Sequence, residues 1–177
     1  RVVMGLSLVA AIYEQQWLNA AVVLGIVGVM LLPAILGKRF NVRIPAEFEV
    51  LALVFMFAAL FLGEVRVYYE RYWWWDIALH TSSGFLLGIL GFLLVYVLNE
   101  NDRVELHMRP HFVALFAFLF SVAMGAMWEI FEFAMDQLLG MNMQKPMFND
   151  PSGLTDTMWD LIVDTVGALV ISLLGWW

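Results

Sequence analysis

The last third of the chain carries many acidic side chains inside otherwise apolar sequence. Between residues 110 and 177 there are seven Asp or Glu residues and a single basic one, Lys145. An ionised carboxylate is costly to hold in a low-dielectric environment, so each of these acids needs a proton, a metal ion or an arginine partner. The sequence therefore predicts a site that handles protons or cations. The acids are Glu129, Glu132, Asp136, Asp150, Asp156, Asp160 and Asp164.

The candidate site residues fall into three sets on three helices. Within each set the spacing is three or four residues, which places the side chains on one helix face. The sets occupy the start of the fourth apolar span, the end of the fifth and the start of the sixth, so alternating topology brings them to the same side of the membrane. We therefore expect them to converge on one pocket. They are Asp76 with His80, Glu129 with Glu132 and Asp136, and Asp156 with Asp160 and Asp164.

Several carboxylates beside one imidazole suit a divalent metal ion such as Mn, Fe, Zn or Mg. Glu132 or Asp76 would then act as a general base or orient the ligands. Di-iron helical bundles repeat a Glu-x-x-His motif, whereas His107 and His111 fall on the opposite side of the membrane, so one metal is favoured over two. The predicted metal ligands are His80, Glu129, Asp160 and Asp164.

Other roles for these acids stay open at this point. Burial raises the pKa of a carboxyl group, so some acids could be protonated and hydrogen-bonded. Asp136 and Asp156 lie near helix ends and are expected to be solvated, while Asp76 and Asp156 could be favourable charges at helix N-termini. Arg66 and Arg71 are predicted on the same side and could pair with some acids. A purely structural polar network is therefore an alternative to a metal site.

Composition identifies the class of protein that must position these residues. The chain has 177 residues, of which 63% are hydrophobic and 14% charged, and its mean hydropathy is +0.82. Soluble domains are about 45–50% apolar and about 25% charged, and a membrane-spanning helix needs roughly 20 apolar residues. We predict an all-α polytopic membrane helical bundle, one transmembrane domain over residues 1–177, with six spans of which the first is truncated or short. The predicted spans are residues 2–13, 17–36, 47–62, 73–98, 112–139 and 155–177.

Other features of the sequence limit function and boundaries. The chain has no cysteine, which excludes disulfides and thiolate chemistry, and its net charge of −7 argues against nucleic-acid binding. It begins at Arg1 inside an apolar run, from which we expect the natural N-terminus to lie upstream. Pro45 is expected to start the third span, and Thr155 or Asp156 is expected to cap the sixth.

Basic residues predict the orientation in the membrane. Arg66, Arg71 and Lys145 lie on one side, and six basic residues lie on the other. The richer side is expected to face the cytoplasm of a bacterium, which places a multi-pass protein in the inner membrane with the acidic cluster near the non-cytoplasmic face. The richer side holds Arg1, Lys38, Arg39, Arg43, Arg103 and Arg109.

Small residues along the fourth span predict close helix packing. Gly84, Gly88 and Gly91 would let another helix approach, either the fifth span, which carries Ser121 and Gly125, or another membrane subunit. The second possibility supports an alternative function, in which the protein is a non-catalytic accessory subunit of a photosynthetic or respiratory complex. The lipid bilayer is the other expected partner.

Three short motifs resemble those of known membrane families. Residues 75–80, Trp-Asp-Ile-Ala-Leu-His, with Gly84 following, resemble the Asp-x-x-x-His…Gly signature of the YjdF-type family of uncharacterised inner-membrane proteins. Residues 128–132, Trp-Glu-Ile-Phe-Glu, and residues 156–160, Asp-Thr-Met-Trp-Asp, followed by Gly167 and Ala168, resemble two further motifs of that family. The more distant VanZ-like family, tied to glycopeptide-antibiotic tolerance, shows a similar order of residues. The resemblance covers residues 49–174 and implies a compact six-helix membrane bundle.

The sequence is more acidic than the VanZ-like pattern. Ile77 stands where Lys is common, Glu132 where Gln is common, and Asp164 where Asn is common. These departures favour a cation site over the antibiotic-related role. The leading hypothesis is a membrane protein that binds a divalent metal and acts on a lipid or lipid-linked substrate. The alternatives are the accessory subunit and, third, a proton or cation relay or transporter, and the sequence leaves open whether the protein is an enzyme.

Overall fold

A computed structural model of the protein describes residues 2–15, 20, 23–28, 30, 31, 35, 45–99, 108–148 and 150–177. These residues form helices and contain no strand, apart from an isolated bridge between Met147 and Asp150. The predicted all-α class is therefore confirmed. The described residues fall into two compact units, residues 1–75 and 76–177, and each is treated by itself.

Four helices in the described part of the chain are long and apolar enough to cross a membrane, whereas six spans were expected. The first helix, α1 (Val2–Tyr13), has 12 residues. It reaches only about 18 Å at 1.5 Å per residue, against a hydrocarbon core of about 30 Å. The expected second span, residues 17–36, lies largely outside the described residues, although residues 20, 23–28, 30, 31 and 35 are helical. The four candidate spans are Ala46–Val65, Trp75–Asn99, Pro110–Leu139 and Leu154–Trp176.

The first unit contains α1 and a helix that changes its winding. Helix α2 (Ala46–Met56) follows Pro45, as predicted, and continues without a break as a π-helix, π1 (Phe57–Val65). A short helix, α3 (Tyr68–Arg71), follows. An apolar core joins α1, the helical residues 23–28 and 30, and π1 through the buried residues Met4, Val23, Ile26, Met30 and Phe61.

The second unit contains three long helices: α4 (Trp75–Asn99), α5 (Pro110–Leu139) and α6 (Leu154–Trp176). Pro110 occupies the first turn of α5, where its missing N–H would have no partner within the helix. Gly140 ends α5 in the left-handed region, with φ of 62°, a conformation that favours glycine. Pro110 and Gly140 therefore mark the start and the end of α5, and the acidic residues of α5 lie near the end that Gly140 closes.

Helix α6 begins differently from what the sequence suggested. The residue that precedes its first turn is Gly153, with φ of 78°, so neither Thr155 nor Asp156 is the N-cap. The side chain of Asp150 takes over part of the capping role. It accepts hydrogen bonds from the Thr155 N–H at 3.1 Å and the Thr155 hydroxyl at 2.6 Å, and from the Ser152 N–H at 2.9 Å. A carboxylate four residues before the helix thus satisfies an N–H of the first turn.

Glycines bring α4 close to both other helices of the unit. A Cβ atom on Gly84 would collide with the backbone of Asp164, and one on Gly91 would lie 2.7 Å from the Ala117 Cα. Ser121 of α5 donates a hydrogen bond of 2.7 Å to the carbonyl oxygen of Gly84. These contacts confirm the prediction that the fourth and fifth spans touch.

The same contacts correct the prediction that these glycines bind another membrane subunit. All three are buried within the unit, where Gly84 faces Asp164, Gly88 faces Ile171 and Gly91 faces Ala117. Because their surface is covered by the chain's own helices, it is closed to a partner. Helix α6 also has a glycine at its contact with α4: a Cβ atom on Gly167 would collide with the backbone of Thr81.

Candidate metal centre

His80 stands at the centre of the acidic cluster, with two carboxylates on each ring nitrogen. Its Nε2 lies 3.7 Å from Asp76 Oδ1 and 3.9 Å from Asp160 Oδ2. Its Nδ1 lies 3.3 Å from Asp164 Oδ2 and 3.6 Å from Glu129 Oε1. The imidazole is buried, so all four contacts lie away from solvent. The three polar sets therefore converge, as their spacing predicted.

The convergence follows from the topology of the three helices. Asp76 and His80 lie in the first turns of α4, and Glu129 lies in the C-terminal half of α5. Asp160 and Asp164 lie in the first three turns of α6. Because consecutive spans alternate in direction, the start of α4, the end of α5 and the start of α6 share one end of the unit.

One group in the described residues has ligand atoms close enough together to hold a metal ion. One ligand atom from each of Asp76, His80 and Asp160 lies within 4.8 Å of the other two. His80 and Asp160 were predicted as ligands, whereas Asp76 was predicted to act as a base or to orient ligands. The other two predicted ligands, Glu129 and Asp164, lie against the opposite ring nitrogen.

Several buried oxygens at this centre lack a hydrogen-bond partner in the described part of the protein. They are both oxygens of Glu129, both oxygens of Asp160 and Oδ1 of Asp156. The exposed fractions of these residues are 3%, 0% and 1%. A buried, unsatisfied polar atom costs roughly 1–3 kcal/mol, and a charged one costs more. The arrangement is therefore incomplete without protons or a cation.

Asp164 differs from these acids because its oxygens have partners. The hydroxyl of Ser83 donates a hydrogen bond of 2.5 Å to Oδ1, and His80 Nδ1 lies at hydrogen-bonding distance from Oδ2. The missing side chain of Gly125 makes room for the carboxylate, since a Cβ atom there would lie 2.6 Å from Oδ2. Sequence reasoning missed the role of Ser83. Its position three residues after His80, on the same face of α4, was the available signal.

Glu132 lies one turn beyond Glu129 on α5 and is also buried. Its Oε1 accepts a hydrogen bond of 2.9 Å from the indole N–H of Trp128. His111 lies in the first turn of α5, 18 residues before Glu129, which corresponds to about 27 Å along the helix. Its separation from the cluster agrees with the prediction, and His107 lies outside the described residues.

Asp136 and Asp156 hold the loop that joins α5 to α6. Asp136 accepts hydrogen bonds from the backbone N–H groups of Met143, at 2.7 Å, and Gln144, at 2.9 Å. Asp156 accepts one of 2.7 Å from the N–H of Lys145. We call residues 143–145 the cap segment. Asp156 was expected to be solvated and is instead buried, because the cap segment covers it.

The cap segment has a further attachment to α6. The side-chain amide of Gln144 donates a hydrogen bond of 2.8 Å to the Thr157 hydroxyl, one residue after Asp156. A Cβ atom on Gly153 would lie 2.8 Å from the Cβ of Gln144, so the start of α6 also packs against this side chain. Backbone and side-chain contacts therefore hold the cap segment at the mouth of the acidic cluster.

Comparison with known proteins places the chain in a family. Residues 1–177 match the family described as "Predicted membrane protein (DUF2238)". A curated relative from Thermotoga maritima, named "Uncharacterized protein", is 30% identical over 140 residues, which cover 79% of this chain and 67% of the relative. No solved structure matches the chain. The resemblance to YjdF-type proteins is compatible with this family, and the VanZ-like resemblance stays a prediction. The four apolar helices and the match over the whole chain lead to one conclusion: the protein belongs to the DUF2238 family of predicted membrane proteins.

Proposed function

We propose that the protein binds one divalent metal ion at the end of α4, α5 and α6, through Nε2 of His80 and carboxylate oxygens of Asp76 and Asp160. The observation that carries the proposal is the pair of unpartnered oxygens on the fully buried Asp160, in a group whose ligand atoms lie within 4.8 Å of one another. One imidazole nitrogen with two carboxylates suits Mn, Fe, Zn or Mg.

The charges of the group support a divalent ion. Asp76 and Asp160 together carry two negative charges when ionised, which a divalent cation balances. An ionised Asp160 without such a partner would be strongly destabilising, because its carboxylate is fully buried.

Glu129 and Glu132 have a different role in this proposal. Glu129 lies outside the ligand group, against Nδ1 of His80, and its unpartnered oxygens could accept a hydrogen bond from a water molecule or a substrate hydroxyl within the cluster. Glu132, held by Trp128, lies one turn further away and supports Glu129. A divalent metal held by His80, Asp76 and Asp160 would supply the Lewis-acid chemistry that metal-assisted hydrolysis uses.

We propose that the substrate is a lipid or a lipid-linked compound. The helices that carry the centre are apolar over spans of 23 to 30 residues, and large hydrophobic side chains such as Leu119, Ile130 and Leu169 cover their outer surface. A substrate that reaches the centre from the bilayer meets this apolar surface first. Basic residues support a position in a bacterial inner membrane with the centre near the non-cytoplasmic face.

The first experiment measures the metal content of the detergent-purified protein by mass spectrometry. The wild type is expected to retain about one equivalent of Mn, Fe or Zn, and Asp160→Asn is expected to lose it because a ligand of the centre is removed. Asp150→Asn is the matched control, since Asp150 is also an acid next to α6 but lies outside the centre, and it should retain the metal. A wild type that is folded and metal-free after incubation with each ion would refute the metal centre.

The substrate proposal has its own test. Protein reconstituted in bacterial lipid extract is incubated with Mn²⁺ or Zn²⁺, and the lipids are analysed by mass spectrometry for hydrolysis products. Products that appear with the wild type and the Asp150→Asn control, and disappear with Asp160→Asn or with a chelator, are expected. Metal binding without any lipid product would leave the centre in place and reject the substrate class.

We keep a proton or cation relay as a second candidate because of one observation on α6. Ser172 is buried, its hydroxyl has no hydrogen-bond partner in the described residues, and it lies on the buried side of α6, eight residues after Asp164. It extends the buried polar groups of α6 by about two turns beyond Asp164, towards the other end of the helix. Proton flux into vesicles that falls in Ser172→Ala would favour this function, and flux equal to that of empty vesicles would reject it.

A further inference from the structure

We propose that Asp164 is a positioning residue rather than a metal ligand, and that it fixes the His80 ring so that Nε2 faces Asp76 and Asp160. This inference rests on the proposed metal centre and deepens it, because it states how the ligating nitrogen is selected. Histidines that bind metals commonly donate their other ring N–H to a carboxylate, which fixes the ring and its tautomer.

The two sides of the His80 ring are chemically different. On the Nε2 side, Asp160 has two oxygens without hydrogen-bond partners and is available for a cation. On the Nδ1 side, Asp164 Oδ2 lies at 3.3 Å, the shortest of the four contacts between this ring and a carboxylate, whereas Glu129 Oε1 lies further away, at 3.6 Å. A hydrogen on Nδ1 would be donated to Asp164, which leaves the lone pair of Nε2 for the metal.

Ser83 fixes the other oxygen of Asp164. Its hydroxyl lies 2.5 Å from Asp164 Oδ1 and 2.8 Å from the carbonyl oxygen of His80. The hydroxyl has one hydrogen, and the shorter contact is to the carboxylate. The His80 carbonyl, by contrast, is a regular acceptor within α4. With both oxygens engaged, Asp164 is oriented before any metal binds.

Two glycines on neighbouring helices leave the space that Asp164 occupies. Gly84 of α4 lets the backbone of Asp164 approach, and Gly125 of α5 leaves space for its carboxylate. A Cβ atom at position 125 would lie 2.6 Å from Oδ2 and 3.2 Å from Cγ, so the carboxylate would have to turn away from His80. Gly125→Ala is therefore a steric test that displaces the Asp164 carboxylate without removing any polar group of the centre.

The experiment compares metal affinity with a second readout that needs no metal. Dissociation constants for Mn²⁺ are measured by calorimetry on the purified full chain. Asp164→Asn, Ser83→Ala and Gly125→Ala are each expected to weaken binding by about 10–100-fold without abolishing it, as the loss of an orienting partner does. Gly88→Ala is the matched control, because a Cβ atom there meets the Ile171 side chain instead, and its affinity should stay at the wild-type value. Asp160→Asn should abolish binding.

The second readout is the Nδ1–H signal of His80 in proton–nitrogen NMR spectra of the metal-free protein. A slowly exchanging Nδ1–H is expected in the wild type and should be lost in Asp164→Asn and Gly125→Ala. If Asp164→Asn abolishes metal binding as completely as Asp160→Asn, or if Nδ1 carries no hydrogen in the wild type, the inference is overturned. A wild type with the Nδ1–H signal and no metal affinity would overturn the proposed function while leaving the Asp164–His80 contact established.

Discussion

At the scale of single residues, Asp150 and Asp156 show how surroundings decide what a carboxylate does. Both precede or begin α6, yet Asp150 serves the turn before the helix, and Asp156 is buried beneath the cap segment. The pKa of Asp150 is well below its usual range because the Thr155 hydroxyl, and then Ser152, donate hydrogen bonds to it. Its charge therefore stabilises the folded turn.

We predict that Asp150→Ala lowers the thermal unfolding midpoint and leaves the metal content unchanged. Since the pKa of Asp150 is lower in the folded than in the unfolded state, its contribution is fully present above the unfolded value of about 3.9 and is lost as the pH falls through the folded value. The midpoint difference from the wild type should be constant between pH 7 and about pH 5 and shrink below about pH 4. Thermal unfolding followed by circular dichroism measures it.

Glu47→Ala is the control for this experiment, because Glu47 is exposed in the first turn of α2. It should shift the midpoint less than Asp150→Ala does. A midpoint difference for Asp150→Ala that persists unchanged to pH 2 would contradict the role of the ionised carboxylate.

The residues of the candidate site could largely be predicted at this scale. The role of each residue within the site could not. Spacing of three and four residues placed His80, Asp160 and Asp164 on converging faces because helical periodicity is a local property. The choice of which carboxylate faces which ring nitrogen depends on backbone positions to a fraction of an ångström. The contact of Ser83 with Asp164, 81 residues apart in sequence, has that origin.

At the scale of secondary-structure elements, α4 and α6 interlock through glycines. We predict that Gly84→Ala lowers the free energy of unfolding by about 1–3 kcal/mol, because the added methyl group meets the Asp164 backbone, which cannot turn aside. Titration with a denaturing detergent, followed by circular dichroism, measures this loss. Metal affinity should fall too, since the backbone that carries Asp164 must shift.

Gly5→Ala supplies the control, since no heavy atom lies within 4 Å of the added Cβ position on α1. It should be neutral or stabilising by up to about 1 kcal/mol, because alanine is the better helix former. Equal destabilisation by both substitutions would mean that the effect at position 84 is not steric.

The cap segment is predicted to slow the release of the metal from the centre. Asp136→Ala removes the acceptor of two backbone N–H groups and should loosen residues 143–145 above the buried Asp156. We expect metal release to a chelator to become faster, with little change in the dissociation constant, because no ligand is altered. Stopped-flow absorbance with a chromophoric chelator measures the release rate, and Asp150→Ala should leave it unchanged. A tenfold loss of affinity with an unchanged release rate would contradict the covering role.

The starts and ends of elements were predictable where a local signal dominates. Pro45 and Pro110 precede or open α2 and α5, since proline fits the first turn of a helix. The start of α6 was predicted wrongly because Thr155 and Asp156 look like caps in sequence. The cap position falls instead on Gly153, which adopts a left-handed conformation, and Asp150 reaches over the turn.

At the scale of the whole molecule, the span of α5 predicts that its two ends lie on opposite sides of the membrane. The chain has no cysteine, so single cysteines can be introduced without background. Asn142→Cys should react with a membrane-impermeant maleimide on spheroplasts, and Met108→Cys should react only after permeabilisation. Labelling of both from the same side would show that α5 does not cross, and the reverse pattern would invert the orientation predicted from basic residues.

Hydropathy gave the membrane class and four of the spans because burial in lipid requires long apolar runs. At the start of the chain only the first expected span can be compared, and α1 there has 12 residues, whereas the expected second span lies largely outside the described residues. Composition also predicted one domain over the whole chain, and this stays a prediction. Within the structure, residues 1–75 and residues 76–177 form two compact units. Packing between helices depends on long-range contacts that a local apolar window does not contain.

The cap segment has a consequence for how members of this family can diverge. Asp136 and Asp156 hold backbone N–H groups of residues 143, 144 and 145 rather than their side chains. Evolution can therefore replace the side chain of Met143 while the loop keeps its place, with proline as the exception because it has no N–H. An alignment of relatives should show varied residues other than proline at position 143, and an acid at both position 136 and position 156.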